Sequence, residues 1–424
     1  MGLTYNIFLL IVFIFLLSKN KINRNYLLVI LMIMSIFLVF IYQLLLLNNN
    51  KISYGSDAEH YYQVGKNYSL IEIVKNNPIS TNVGYPVINS LFFFTSNNDI
   101  FNMFLIKISN VFIVFIGLAL ICKCLHSINW ILILLPGYTY IFTKNFREPY
   151  IILAIVLFLI AYFFEENRHF YFLLSFALLL LFRDFFMVLF FYVFLYIRFS
   201  KKVVRKQTFF FLKNFFLFLI ISLLIIFIFF QFDNTRYTLQ GFAMLTGSDY
   251  EARAHNPLVL TFSEAAELNY FEYTKWIAQV FINQSPPFIF EPSPYNYIDY
   301  AFKNSTESKF DILNHFIISV INYLFIFPFL VNQTVIIYKK GKNIDVDILN
   351  DLLFVVLLTL SIVFSYVVGL FGMSNYRTKF LVVVTYFFGI QLIRSKYNIE
   401  ELMFKRQLVI TLIFNIIAFT ILFL

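Results

Sequence analysis

The chain has 424 residues, of which 60% are hydrophobic and only 13% charged, and Phe alone occurs 59 times. A soluble protein of this length could not hide so much apolar surface, which excludes the ordinary cytosolic enzyme classes. The net charge of +9 is accounted for by membrane topology, so it calls for no nucleic-acid partner.

In chain order, apolar runs suited to a hydrocarbon core of about 30 Å fall near 3–17, 25–47, 103–124, 129–143, 149–164 and 170–182. Others follow near 185–198, 214–231, 312–337, 350–371, 380–393 and 407–424. The expected fold is therefore an all-α polytopic membrane protein of about twelve transmembrane helices, one integral domain over residues 1–424. The first run lacks a basic leader and a small-residue cleavage site, and a second span follows closely, so it reads as a span.

Basic residues set the orientation. Lys19, Lys21 and Arg24 form one cluster, Arg198 to Lys213 the strongest, Lys339 to Lys342 a third, and Arg394 to Arg406 a fourth. Twelve alternating spans put all four on one side, which must be the cytoplasm. That side carries 18 Lys and Arg against 7 Asp and Glu, the remainder 14 against 16, and the two return the chain's +9. Residues 54–69, Arg147–Glu148, Arg183–Asp184, the loop 232–311 and residues 374–379 then share the outer face.

The first outer loop, 48–95, opens with "YGSDAEHYYQVGKNYS". Tyr61, Val64, Tyr68, Ile71 and Val74 recur at helical spacing, as an interfacial helix needs. Asp57 stands at its start, where a carboxylate caps free backbone N–H groups. Alternatively, Asp57 or Glu59 is a general base at the lipid–water boundary, assisted by His60. "NVGYPVINSLFFF" follows, with a turn expected at Gly84 and Pro86 and a re-entrant or interfacial segment after it.

Cys122 and Cys124 have no second pair, so neither a metal site nor a disulfide framework is indicated. "NFREPY" and "LLLFRDFF" each set an Arg beside a carboxylate between apolar runs. Arg147 and Arg183 either neutralise Glu148 and Asp184 locally or grip an anionic head group through guanidinium forks. "FGMSNYRTKFLVV" adds Arg377 and Lys379 at the mouth of a late span. Together these cations suit a pyrophosphate that joins a sugar to a lipid.

In the loop 232–311, "SEAAELNYFEYTKWIAQVF" is the clearest helix, with Ser263 as its expected cap. "QSPPFIFEPSPYNYIDY" carries aromatics that suit either sugar stacking or an interfacial belt, and Glu264, Glu267, Glu272 and Glu291 are weak site candidates. A phosphate-binding glycine loop, an HExxH motif and a Cys/His cluster are all missing from the sequence, so no metal or cofactor is expected.

With these motifs in hand, the chain resembles the bacterial O-antigen and polysaccharide polymerases, and more broadly the membrane glycosyltransferases of the GT-C fold. "GSDAEHYY" looks like the acidic–aromatic stretch of their first outer loop, and "NVGYP" like the "PGYP" after it. "FREPYIILAIVLF", "LFRDFFMVL", "SPPFIFEPSPY" and "NYRTKFLVV" resemble later signatures in the same order. Thr378 and Val384 depart from the basic or proline residues of related chains.

The resemblance implies a multi-pass protein of the bacterial inner membrane with its active site facing the periplasm. It implies transfer of a glycan from undecaprenyl pyrophosphate to a lipid-linked repeat unit, with membrane lipids and a chain-length regulator as partners. Asp57, with Glu59 and His60, takes the catalytic position. Arg147, Arg183, Arg377 and Lys379, with Tyr61 and Tyr85, take the substrate and lipid phosphate. A transferase adding one sugar from a polyprenyl monophosphate, and a flippase of lipid-linked glycan, are the rival expectations.

Overall fold

The structure is a computed structural model that describes residues 1–19, 25–48, 56–76, 84–93, 98–125, 131–164, 167–200, 326–343, 346–369 and 376–399, with positions 269, 272, 317 and 321. Among these residues the secondary structure is helical, with no strand. The chain divides into two compact units, Met1–Val188 and Leu189–Leu424.

In the first unit α1 (Gly2–Lys19), α2 (Asn25–Asn48), α6 (Asp99–Cys122), α7 (Ile131–Thr143), α8 (Glu148–Phe163) and the part of α9 (Arg168–Ser200) up to Val188 carry the apolar runs. The bounds of α1, α2, α6, α7 and α8 lie close to the expected spans, because long runs of Leu, Ile and Phe without a breaker propagate a helix until polar residues stop it. From Tyr26 onward α2 is long and apolar enough to cross a membrane, and so is α6. α6 is the central helix, packed on α1, α2, α7 and α8, and 89% of its most apolar window is buried. α1 and α2 instead present Ile7, Phe8, Ile11, Phe15, Ile33 and Phe37 outward. Exposed apolar faces of that extent suit hydrocarbon rather than water.

The helices alternate in direction. Tyr5 and Tyr150 hydroxyls lie 3.2 Å apart, Asn6 Nδ2 donates to the Leu105 carbonyl, and Lys107 Nζ donates to Gln43 Oε1. Tyr150 stacks on Phe182 at 4.4 Å, while farther along Ser175 Oγ donates to the Ala154 carbonyl. The start of α1, the end of α2, the start of α6, the end of α7, the start of α8 and residue 182 of α9 therefore meet at one end of the bundle.

α9 corrects one expectation. It runs unbroken for 33 residues, so Arg183 and Asp184 lie within a helix and not in a turn between spans 170–182 and 185–198. The run from Leu179 to Leu189 contains neither Gly nor Pro, and its leucines and phenylalanines sustain the helical hydrogen bonds through the charged pair.

Three short helices cap the same end: α3 (Ser56–Asn67), α4 (Leu70–Asn76) and α5 (Gly84–Phe93). The expected interfacial stripe is split. Tyr61 and Val64 are buried, but Tyr68 and Ile71 are exposed, because α3 stops and α4 begins anew at Ser69. Ser69 and Glu72 make a reciprocal capping box, Glu72 Oε2 accepting from the Ser69 N–H at 2.8 Å and Ser69 Oγ from the Glu72 N–H at 3.3 Å. Its S-x-x-E signature stands in the sequence and outweighs the continuous apolar periodicity. Similarly, Gly84 and Pro86 open the first turn of α5, where a proline lacks no needed N–H.

α10 (Phe327–Asn343), α11 (Val346–Gly369) and α12 (Tyr376–Lys396) form the described core of the second unit, each packed on the other two. Asp351 on α11 is fully buried and accepts from Lys396 Nζ at 2.6 Å and from the Tyr397 hydroxyl at 2.9 Å. Thr334 and Tyr386 hydroxyls lie 2.7 Å apart between α10 and α12.

Candidate functional site

The candidate site is built where α3 and α5 lie across the polar end of the first unit. The two short helices run parallel in register: the Tyr61 and Tyr85 rings meet edge to face at 5.1 Å, and Gly65 lies against Asn89. A Cβ on Gly65 would come within 2.6 Å of Asn89 Cβ, so glycine permits this approach. α3 is tied to the start of α6 by Lys66 Nζ, 2.6 Å from Asp99 Oδ2, which also accepts from the Tyr62 hydroxyl at 2.9 Å. The Asp99 carboxylate holds the exposed Lys66 ammonium above its ordinary range.

α5 in turn reaches the motif "NFREPY". The Tyr85 hydroxyl donates to Asn145 Oδ1 at 2.8 Å and accepts from Asn110 Nδ2 at 3.2 Å. Asn110 Nδ2 also donates to the Lys144 carbonyl, which fixes the turn between α7 and α8 against α6. The Tyr85 ring meets Tyr150 at 5.9 Å. At the start of α5, Gly84 lies against Leu181 of α9, next to the Phe182–Tyr150 stack. Segments far apart in sequence (α3 and α5, the α7–α8 turn and mid-α9) thus share one packed cluster.

The sequence candidates distribute around it as follows. Tyr61, Tyr85 and Arg147 are buried in the cluster or in the turn beside it. Asp57 is the second residue of α3, one helical turn before Tyr61. Glu59 lies on the outer part of α3 and accepts from Gln63 Nε2 at 2.8 Å, an ordinary pair one turn apart. His60 is exposed, its ring tilted 6.1 Å from that of Tyr61. Arg183 directly follows Phe182 on α9, at the level of Tyr150.

Arg377 and Lys379 lie in the first turn of α12, in the second unit. In the loop 232–311, Ser263, Glu264, Glu267, Glu291 and the segment 284–300 lie outside the described residues, as do spans 214–231 and 407–424. Glu272 is exposed and makes reciprocal capping bonds with Asn269.

Two cations were not singled out by motif. Lys107 is 1% exposed and Lys144 4%, and their ammonium groups lie 5.0 and 5.6 Å from the centroid of the same Tyr42 ring. The signal that finds Lys107 is a lone charge inside an otherwise apolar run, which membrane insertion makes costly and therefore functional or paired. Among the described residues, no group of three or more His, Cys, Asp or Glu is placed to hold a metal ion. Cys122 is buried at the end of α6 and Cys124 half-buried beyond it, both as free thiols. Comparison of the chain with protein-family models, with curated proteins and with solved structures returned no match.

Proposed function

We propose that the chain is a membrane glycosyltransferase that extends a surface polysaccharide from a lipid-linked donor. The observation that carries this is the single cluster joining Tyr61 of the first outer loop, Tyr85 of α5 and the Asn145–Arg147 turn. Three of the stretches that resemble polymerase signatures supply it, and they are far apart in sequence.

In this scheme the hydroxyl oxygen of an acceptor sugar forms a bond to the anomeric carbon of the donor glycan. The bond from that carbon to the pyrophosphate oxygen breaks, and undecaprenyl pyrophosphate leaves with the electron pair. Asp57 takes the hydroxyl proton, while Arg147, with Arg183 beside the cluster, offsets the charge that grows on the leaving oxygen. Cations fixed before the reaction in a water-poor site supply such stabilisation without reorganising. Arg377 and Lys379 join this scheme through the resemblance alone. A polytopic topology, the inner membrane and the periplasmic orientation belong to the same proposal, with 170–182 and 185–198 no longer counted as two spans because α9 is a single helix.

Gene deletion followed by gel separation of the lipopolysaccharide tests it. Lipid A–core bearing a single repeat is the expected product. A long ladder of altered composition would indicate single-sugar transfer instead, and loss of even the single repeat a flippase. Complementation with Asp57→Asn and Arg147→Ala is expected to leave the single repeat, whereas full chain length with both overturns their roles.

A further inference from the structure

We propose that α3 is a lid that pivots before Ser69 and uncovers the Tyr85–Asn89 face of α5, held shut by a latch of Lys66, Tyr62 and Asp99. The lid rests on packing and hydrogen bonding within the first unit and stands apart from the transferase reading.

α3 has two unlike faces. Tyr61, Val64 and Gly65 are buried, whereas His60, Gln63, Lys66 and Asn67 are exposed, so α5 lies beneath the helix and solvent above it. Its outer end is joined to the bundle through one carboxylate oxygen. Asp99 Oδ2, in the first turn of α6, accepts from Lys66 Nζ at 2.6 Å and from the Tyr62 hydroxyl at 2.9 Å. The Tyr62 ring also meets Phe93 of α5 edge to face at 5.5 Å. The Lys66 side chain is 44% exposed and that of Asp99 23%, so water competes for the pair and the latch is one that opens readily.

Three features favour opening. Gly65 lets α3 lie close on α5, but a glycine inside a helix weakens it. Beneath Gly65 is Asn89, which is fully buried. Its Nδ2 donates to the Tyr85 carbonyl, while its Oδ1 has no hydrogen-bond partner. An acceptor sealed away without a donor penalises the closed form, and lifting α3 gives it water. The chain also carries a ready pivot. The Tyr68 N–H bonds to the Val64 carbonyl and the Ile73 N–H to the Ser69 carbonyl, so rotation between Tyr68 and Ser69 keeps both. The Ser69–Glu72 box closes the start of α4, and buried Ile73 keeps that helix seated while α3 moves.

Thiol accessibility in the full-length chain, purified in detergent, tests this. Asn89→Cys, in a Cys124→Ser background, places a reporter thiol under Gly65, and Cys122, buried inside α6, reports an intact bundle. The reagent is a sulfonated methanethiosulfonate, which reacts from water. Adding Lys66→Met or Asp99→Asn is expected to speed labelling at position 89 about threefold or more, with Cys122 unlabelled. Amide exchange over residues 58–67 should change less, since α3 swings as a helix. Where a latch variant labels Cys122 and so has unfolded, the reporter protein with its latch intact is read against salt instead. Raising salt from about 0.05 to about 0.5 M should then speed labelling, because screening weakens an exposed pair. An unchanged rate in folded latch variants, or in salt where they do not fold, overturns the lid. Labelling at position 89 only together with Cys122 also overturns it. So does amide exchange over 58–67 that accelerates by the same factor as labelling, which would mean that α3 melts.

Discussion

The Tyr85 hydroxyl bridges Asn145 and Asn110, donating to the first at 2.8 Å and accepting from the second at 3.2 Å, in a fully buried position. One phenol therefore couples α5, α6 and the α7–α8 turn. Tyr85→Phe keeps the ring contacts with Tyr61 and Tyr150 but strips both amides of a partner. Loss of a buried hydrogen bond costs about 0.5–1.5 kcal/mol, and Asn110 Nδ2 keeps the Lys144 carbonyl, so the purified variant should melt a few degrees below the wild type. Tyr85→Ala, which also removes the ring, should melt lower still.

Gly84 supplies the contact between α5 and α9. A Cβ at this position would lie 2.8 Å from the Leu181 carbonyl oxygen and 3.0 Å from Leu181 Cβ. Because the nearest atom is backbone, Gly84→Ala must push the two helices apart, at a cost of about 1–3 kcal/mol. Gly117→Ala is the matched control. Its Cβ would meet nothing closer than 3.7 Å, and alanine favours the helix by about 1 kcal/mol. Thermal unfolding should fall for the first variant and hold or rise for the second.

The long helices were legible because uninterrupted apolar runs leave the chain little other choice, and α1, α2, α6, α7 and α8 begin and end within a few residues of expectation. Two local features outweighed the apolar pattern. The charged pair Arg183–Asp184 suggested a turn, yet its neighbours contain no helix breaker, and α9 continues. The stripe from Tyr61 to Val74 suggested one helix, yet Ser69 and Glu72 start a second. At the site, Tyr61, Tyr85 and Arg147 stood out because each lies in a polar motif beside an apolar run. Lys107, Lys144, Asn110 and Tyr42 did not, since their partners lie on elements distant in sequence.

The Ser69–Glu72 box carries a pH dependence. Hydrogen bonds from the Ser69 N–H and hydroxyl hold the exposed Glu72 carboxyl below its ordinary value of 4.5. A depressed folded-state value stabilises α4 at pH above about 4.5, and that support disappears as pH falls through the lowered value. Amide hydrogen exchange over residues 70–76, corrected for intrinsic rates, should therefore accelerate as pH is taken from 6 towards 3. Ser69→Ala should exchange several-fold faster at pH 6 and lose most of that pH dependence.

Substitutions at Arg147 and Asp351 are expected to separate the proposed chemistry from stability. Arg147 stands at the start of α8 in the turn that Tyr85 holds, 8% exposed. If its guanidinium meets the leaving pyrophosphate, Arg147→Ala should slow chain extension by about two to three orders of magnitude, as loss of a fixed donor to a growing oxyanion does. Arg147→Lys should recover only part of that, because a point charge replaces a two-point fork. Asp351, in the second unit, is fully buried and accepts from Lys396, whose side chain is 34% exposed. Asp351→Ala should cost about 2–3 kcal/mol, less than a wholly buried pair because Lys396 keeps access to water. The Asp351 variant should therefore lower the amount of folded protein and leave the modal polysaccharide length per folded molecule unchanged. Quantified gels normalised to protein level distinguish the two; equal shortening by both variants would assign Arg147 to folding and not to transfer.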